Sequence, residues 1–199
     1  MKKLLLLGLV SVSTFVMSQK MKVISGNFDF LKGQKELNLQ MDYSQMKFYK
    51  ENMDESDYIA KQEKDIQKAN KNPEEFTKWK KDWEYSKNTQ FVDKFLASMN
   101  KNTDIKTSVN NKKAKYTLVA QTVWIYPGWF AGVMNQPSKV SMNLKFVETS
   151  NPSNVLLEID SKNAPGDNFV GLPNNNDRIS EGYAKTAKTL ANMIDKKVK

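Results

Sequence analysis

The chain reads as an α+β domain, an antiparallel sheet of about five strands with helices packed on it, in the order β-β-α-α-β-β-β-α. Three observations predict this. Leu37, Leu39, Met41 and Tyr43 alternate with Glu36, Asn38, Gln40 and Asp42, the period of two of a strand with one face on a core and the other in water. Phe76, Trp79 and Trp83, then Phe91 or Val92, Phe95 and Met99, recur at helical spacing, with a slip near Lys87 and Asn88. From Lys115 onward, apolar strand patterns follow one another separated by turns. Blocks of strands and blocks of helices favour an antiparallel sheet covered by helices.

Taken in order, Met21 to Leu31 is a strand with Gly26 as a bulge, closed by the turn Lys32-Gly33-Gln34. It is expected to pair as a hairpin with the alternating strand after it. Asp54 or Ser56 caps a mostly solvated helix that runs to about Asn70. Asn72-Pro73-Glu74-Glu75 is a strong helix start: a side-chain cap, a proline whose missing N–H costs nothing there, and acids facing the positive end of the dipole. The aromatic stripe that follows makes this the main docking helix. Thr107 to Val109 is a weak strand. Lys115 to Tyr126 is apolar on both sides, with Leu118, Ala120 and Trp124 pointing one way, and reads as a central strand covered on both faces. Val140 to Phe146 and Val155 to Asp160 complete a three-stranded meander, and a helix from Ile179 to about Lys197 ends the chain.

The first residues have another origin. Met1-Lys2-Lys3 is a basic start, Leu4 to Val10 with Phe15 and Val16 is an apolar stretch, and Ser18 is a small residue at the cut, so residues 1–18 read as a secretory signal peptide. The stretch is shorter than the roughly 20 apolar residues of a spanning helix, so no membrane anchor is expected after cleavage. Residues 19–199 then form a single domain beginning at Gln19, or at Lys20 if the cut falls one residue later; Gln19 at a free terminus can cyclise to pyroglutamate. The expected location is the periplasm or the cell exterior.

Composition excludes several classes of chemistry. The chain has no Cys and no His. Disulfides, thiol nucleophiles and His-assisted serine mechanisms are therefore out, as are the preferred ligands of zinc and copper. Loss of Lys2 and Lys3 with the signal takes the 31 basic residues to 29 against 22 acidic, a net charge of +7. Arg178 is the only arginine, and without the planar guanidinium fork a nucleic-acid partner is not expected despite a pI near 9.4.

Two loops carry the candidate site. Tyr126 to Met134 joins two strong strands yet contains Trp129, Phe130 and Met134, which either cap the sheet or present a hydrophobic tip to a partner. Asn163 to Asp177 is a long irregular stretch in which Asp167, Asn168 and Phe169 are offered to a partner and Arg178 closes the loop through an ion pair. Its acids match no calcium-loop spacing, so neither a metal nor a cofactor is expected.

The segments FDFLKGQKELNLQMDYS (28–44), KYTLVAQTVWIYPGWFAGVMNQPSKVSMNLKFVETSNPS (115–153), NAPG (163–166) and RISEGYAKTAKTLANMI (178–194) carry a resemblance over nearly the whole mature chain. In these the protein resembles an uncharacterised family of exported α+β proteins of Gram-negative bacteria. The resemblance implies export and the fold class, and it brings no catalytic or binding residues. At the level of fold class the arrangement is also similar to small periplasmic domains that bind other envelope proteins. The resulting expectation is a non-enzymatic envelope protein that binds a protein or envelope component. Two alternatives stand beside it: a carboxylate-based glycan hydrolase, which needs two facing carboxyls, and electrostatic adhesion of the lysine surface to anionic lipid or polysaccharide.

Overall fold

The computed structural model describes residues 19–69, 72–131, 134–166 and 175–198; the segment 1–18 lies outside them. The strands are β1 (Lys20–Gly26), β2 (Glu36–Asp42), β3 (Lys47–Phe48), β4 (Lys106–Val109), β5 (Tyr116–Tyr126), β6 (Trp129–Ala131), β7 (Met134–Gln136), β8 (Lys139–Glu148) and β9 (Asn151–Pro165). The helices are α1 (Glu55–Ala69), α2 (Pro73–Tyr85), α3 (Phe91–Asn102) and α4 (Asn175–Val198). Seven strands make one mixed sheet in the order β1-β9-β8-β5-β2-β4, with β3 beside β5 past the end of β2, while β6 and β7 form a separate ribbon.

Helices α2 and α3 are one continuous rod. Between them Ser86–Gln90 forms a π-turn, in which the Phe91 amide reaches back to the Ser86 carbonyl. The turn absorbs one extra residue, so Trp83 and Phe91, eight apart in sequence, face the core as if they were seven apart. Both are fully buried, with ring centroids 5.9 Å apart. The slip in the apolar pattern near Lys87 is this turn. Tyr43 Oη donates to the Lys87 carbonyl that the turn releases, at 2.9 Å. The rod, α1 and α4 all pack on one face of the sheet, burying Leu37, Leu39, Leu118, Leu144, Phe146 and Ile159. Next to β3, Phe48 stacks on Tyr58 at 4.1 Å, and Trp83 meets both rings edge-on, an arrangement that adds about 0.5–1.5 kcal/mol per pair beyond burial.

The sheet is not the antiparallel one expected. β1 and β2 do not form a hairpin: β1 pairs antiparallel with β9 at one edge, and β2 runs parallel to both β4 and β5 in the other half. Two local causes stand out. Gly26 turns at φ +79°, and Asp29–Leu31 is a single 3₁₀ turn that drives Phe28 and Leu31 into the core, so the strand expected to reach Leu31 stops at Gly26. The helical block between β2 and β4 is a crossover long enough to return the chain parallel to itself. The meander β5-β8-β9 is antiparallel throughout, as the sequence indicates.

Nor is β5 covered on both faces. A bulge at Val123 shifts the register between Thr122 and Trp124, so Thr122 and Ile125 face the helices and Trp124 turns to the other side. That side is polar. Asp42, Gln121, Asn143, Asp160 and Lys22 lie in register across five strands. Gln121 donates to Asp42 at 2.7 Å, and Asn143 donates to both Glu158 and Asp160, at 2.8 and 3.2 Å. A helix-covered face and a wetted polar face are the usual division of a sheet with antiparallel strands.

Candidate functional site

The two loops singled out in the sequence share one base. The Gly166 amide donates to the Ser138 carbonyl at 2.9 Å, joining the end of the β6–β7 ribbon to the segment leading into α4. Glycine is required there because a Cβ on residue 166 would lie 1.9 Å from Ser138 Oγ and 2.0 Å from the Arg178 carbonyl. The neck of the ribbon is equally tight. Gly128 sits at φ +74°, and a Cβ on it would meet the Gln136 carbonyl at 2.5 Å and the Ser138 nitrogen at 2.7 Å.

Beyond this neck, β6 and β7 pair through Trp129↔Gln136, Phe130↔Asn135 and Ala131↔Met134, so part of the expected loop is a short two-stranded ribbon. Trp129 is 43% exposed, an unusual state for the largest apolar side chain, and its Nε1–H donates to Gln136 Oε1 at 3.1 Å. Tyr126 Oη donates to the same oxygen. The side chains of Phe130 and Met134 lie outside the described residues, as do Asp167, Asn168 and Phe169. The second loop is shorter than expected, because β9 continues to Pro165 and α4 begins at Asn175. Arg178 is buried, 5% exposed, in the first turns of α4, and its Nη2 donates to Asn175 Oδ1. Burial lowers its pKa from the ordinary guanidinium value. The loop residues 167–174, with which Arg178 was expected to form an ion pair, lie outside the described residues.

No family model and no curated protein sequence matches this chain. Among solved structures it is similar to the PelC dodecamer from Paraburkholderia phytofirmans, with 11% identity and a TM-score of 0.43, covering 88% of this chain and 96% of that one. A substituted variant of the same dodecamer gives 11% identity and a TM-score of 0.41 over 86% of this chain and 97% of that one. A likeness this distant says nothing of ligand or assembly here.

The same end of the sheet holds an aromatic group that sequence patterning missed. Trp124 and Tyr126 stack with centroids 6.2 Å apart, and Tyr126 meets Tyr49 edge-on at 5.9 Å. Tyr49 has φ +57°, a left-handed conformation that costs a bulky residue about 1–2 kcal/mol. Its backbone repays that cost in bonds: Tyr49 N–H donates to the Ile125 carbonyl at 3.1 Å, and its own carbonyl accepts Trp124 Nε1–H at 2.6 Å. Burial raises the Tyr49 phenol above its ordinary range, Lys61 and Gln62 pulling the other way. The signal was the tetrapeptide Tyr49-Lys50-Glu51-Asn52, a tight turn between Phe48 and Met53, which bond to each other through both backbone pairs.

Carboxylates gather on the polar face of the sheet. Glu158 and Asp160 lie side by side on β9, share the Asn143 amide, and have Lys145 and Lys162 at 3.9 and 3.8 Å. Burial acts to raise the pKa of Asp42, but hydrogen bonds from Ser44 and Gln121, with Lys145 nearby, hold it below the usual value. Neighbouring carboxylates tied to amides and lysines on one strand are not a pair facing each other across a cleft.

Proposed function

We propose that the protein is exported, loses residues 1–18, and acts in the periplasm or outside the cell as a non-catalytic binding protein. Its partner, a protein or other envelope component, engages the end of the sheet where the ribbon and the Gly166 segment share their base. One observation carries this reading: Trp129 is exposed on a ribbon whose neck is closed by Gly128 and Ser138. A large aromatic side chain held in water on a rigid support has the character of an interface anchor, because little ordering entropy remains to be lost on binding.

The test pairs location with capture. Mature protein recovered from the periplasmic fraction should start at Gln19, and tagged protein should retain an envelope component that the Trp129→Ala variant loses at unchanged stability. Capture that survives Trp129→Ala rejects the ribbon as the site. Capture abolished by moderate salt in both proteins assigns binding to the lysine surface instead.

A further inference from the structure

A groove of about 360 Å³ opens on the polar face of the sheet, lined among others by Trp124, Asn52, Asp160, Lys162 and Asn163. Its construction is specific. Two strand irregularities fall at the same level on either side of β8: Val123 is extra on β5, and on β9 Lys162 with Asn163 stand opposite the single Ser141 of β8. Asn163 takes φ +55°, and its freed amide is caught by Ser141 Oγ at 3.1 Å. Bulges of this kind re-aim side chains and recur beside binding sites. Here they turn Trp124 onto the open face and interrupt the regular packing of side chains on it.

The chemistry of the lining narrows the ligand. The indole N–H of Trp124 is committed to the Tyr49 carbonyl, so this half-buried residue has only its ring to offer. The rim carries acceptors and donors together: the Asp160 carboxylate, the Lys162 ammonium 3.8 Å from it, and the side-chain amides of Asn52 and Asn163. A bare anion would need donors alone, and a bare cation would leave the amide donors and Lys162 unused. A hydroxylated ring meets both requirements, since each hydroxyl donates and accepts while the C–H face of the ring lies on an aromatic surface. The volume suits one or two rings, at the small end of ligand sites. We propose that this groove is a binding subsite for a neutral sugar, its ring stacked on Trp124 and its hydroxyls shared between Asp160 and the Asn52 and Asn163 amides. Trp129 does not line this subsite.

Amide and side-chain NMR spectra of the mature protein titrated with cellobiose, chitobiose and adenosine test this. Saturable shifts at the Asn52 and Asn163 side-chain amides and the Trp124 indole with at least one disaccharide, at millimolar Kd, are the expected result. Asp160→Asn, which keeps the side-chain shape, should weaken that disaccharide about tenfold or more, and Trp124→Leu should abolish binding in a protein still folded by circular dichroism. Tyr85→Ala, at an exposed position that does not line the groove, should bind as the parent does. Saturation by adenosine alone would make the site a stacking platform without hydroxyl recognition and overturn the proposal. Failure of both disaccharides to saturate these signals, or equal affinity in Asp160→Asn, would do the same.

Discussion

The amide of Gly166 and the carbonyl of Ser138 meet at 2.9 Å, and this bond ties the end of β9 to the neck of the ribbon at a point where the Arg178 carbonyl of α4 also closes in. Gly166→Ala should therefore be costly for a reason unrelated to φ: the new Cβ has no room between Ser138 Oγ and the Arg178 carbonyl. Overpacking of this kind costs about 1–3 kcal/mol. Gly33→Ala is the control, since Gly33 is at φ +74° in open space and only the conformational penalty of about 1 kcal/mol applies. Urea denaturation of both variants should rank Gly166→Ala as the more destabilised, and the opposite order would refute the crowding argument.

Two tryptophans should behave as opposites. Trp129→Ala, at an exposed site, should change stability by no more than about 0.5 kcal/mol. Trp83→Ala removes a fully buried ring whose Nε1–H donates to Glu55 at 2.7 Å, and it should cost about 3–5 kcal/mol. A melting temperature lowered as much by the first as by the second would mean that Trp129 is packed rather than presented.

Stability should be lost on the alkaline side. Burial holds the phenols of Tyr43, Tyr58 and Tyr183 above their ordinary range, with Glu55 adding to the effect at Tyr43 and Tyr183 and Tyr49 at Tyr58. Each is an acid that ionises more readily in the unfolded chain, so its contribution is complete below the unfolded pKa of about 10 and falls as pH rises through and beyond that value. With no His in the chain, no side chain has an unperturbed pKa between about pH 5 and 8, and stability should be nearly flat there. Phenolate absorbance should show the buried three ionising only as the protein unfolds. Simultaneous ionisation of all seven tyrosines near pH 10 with the fold intact would contradict this.

If residues 1–18 are removed as proposed, the new terminus at Gln19 should stay uncyclised while the protein is folded. Gln19 Nε2 donates to Ser161 Oγ at 3.0 Å, and Thr189 Oγ1 donates to Gln19 Oε1 at 2.6 Å. Pyroglutamate forms when the α-amine attacks that amide and expels its nitrogen as ammonia, so both bonds restrain the reacting group. Intact mass should be that of residues 19–199, with ammonia lost only after incubation in denaturant. Ammonia loss from folded protein would show that the restraint is ineffective.

What was legible in the sequence is what local chemistry decides. Asn72 caps α2 by accepting from Glu74 N–H at 3.0 Å, and the alternation at Leu37, Leu39 and Met41 is β2. Composition marked the loop from Tyr126 to Met134 as unusually apolar but left open whether it caps the sheet or is presented, and of its side chains Trp129 is seen exposed. What was not legible depends on pairing across long sequence separation. Nothing near Met21 states that its neighbour will be Ser161, and nothing in KYTLVAQTVWIY marks Val123 as the extra residue that sends Trp124 to the opposite face. The groove beside Trp124 follows from those two non-local facts, which is why periodicity did not reveal it.

The π-turn between α2 and α3 makes the rod tolerant of a change in length at one place only. Deleting Asn88 would let the segment wind as an ordinary helix, and Trp83 and Phe91 would still fall on the same side, now seven positions apart in fact as well as in effect. The same deletion at Lys80 would swing Phe76 and Trp79 by about 100° relative to every aromatic residue after them and tear the stripe in two. The rod thus holds a spare residue, and the position where it can be given up is written in its hydrogen bonds.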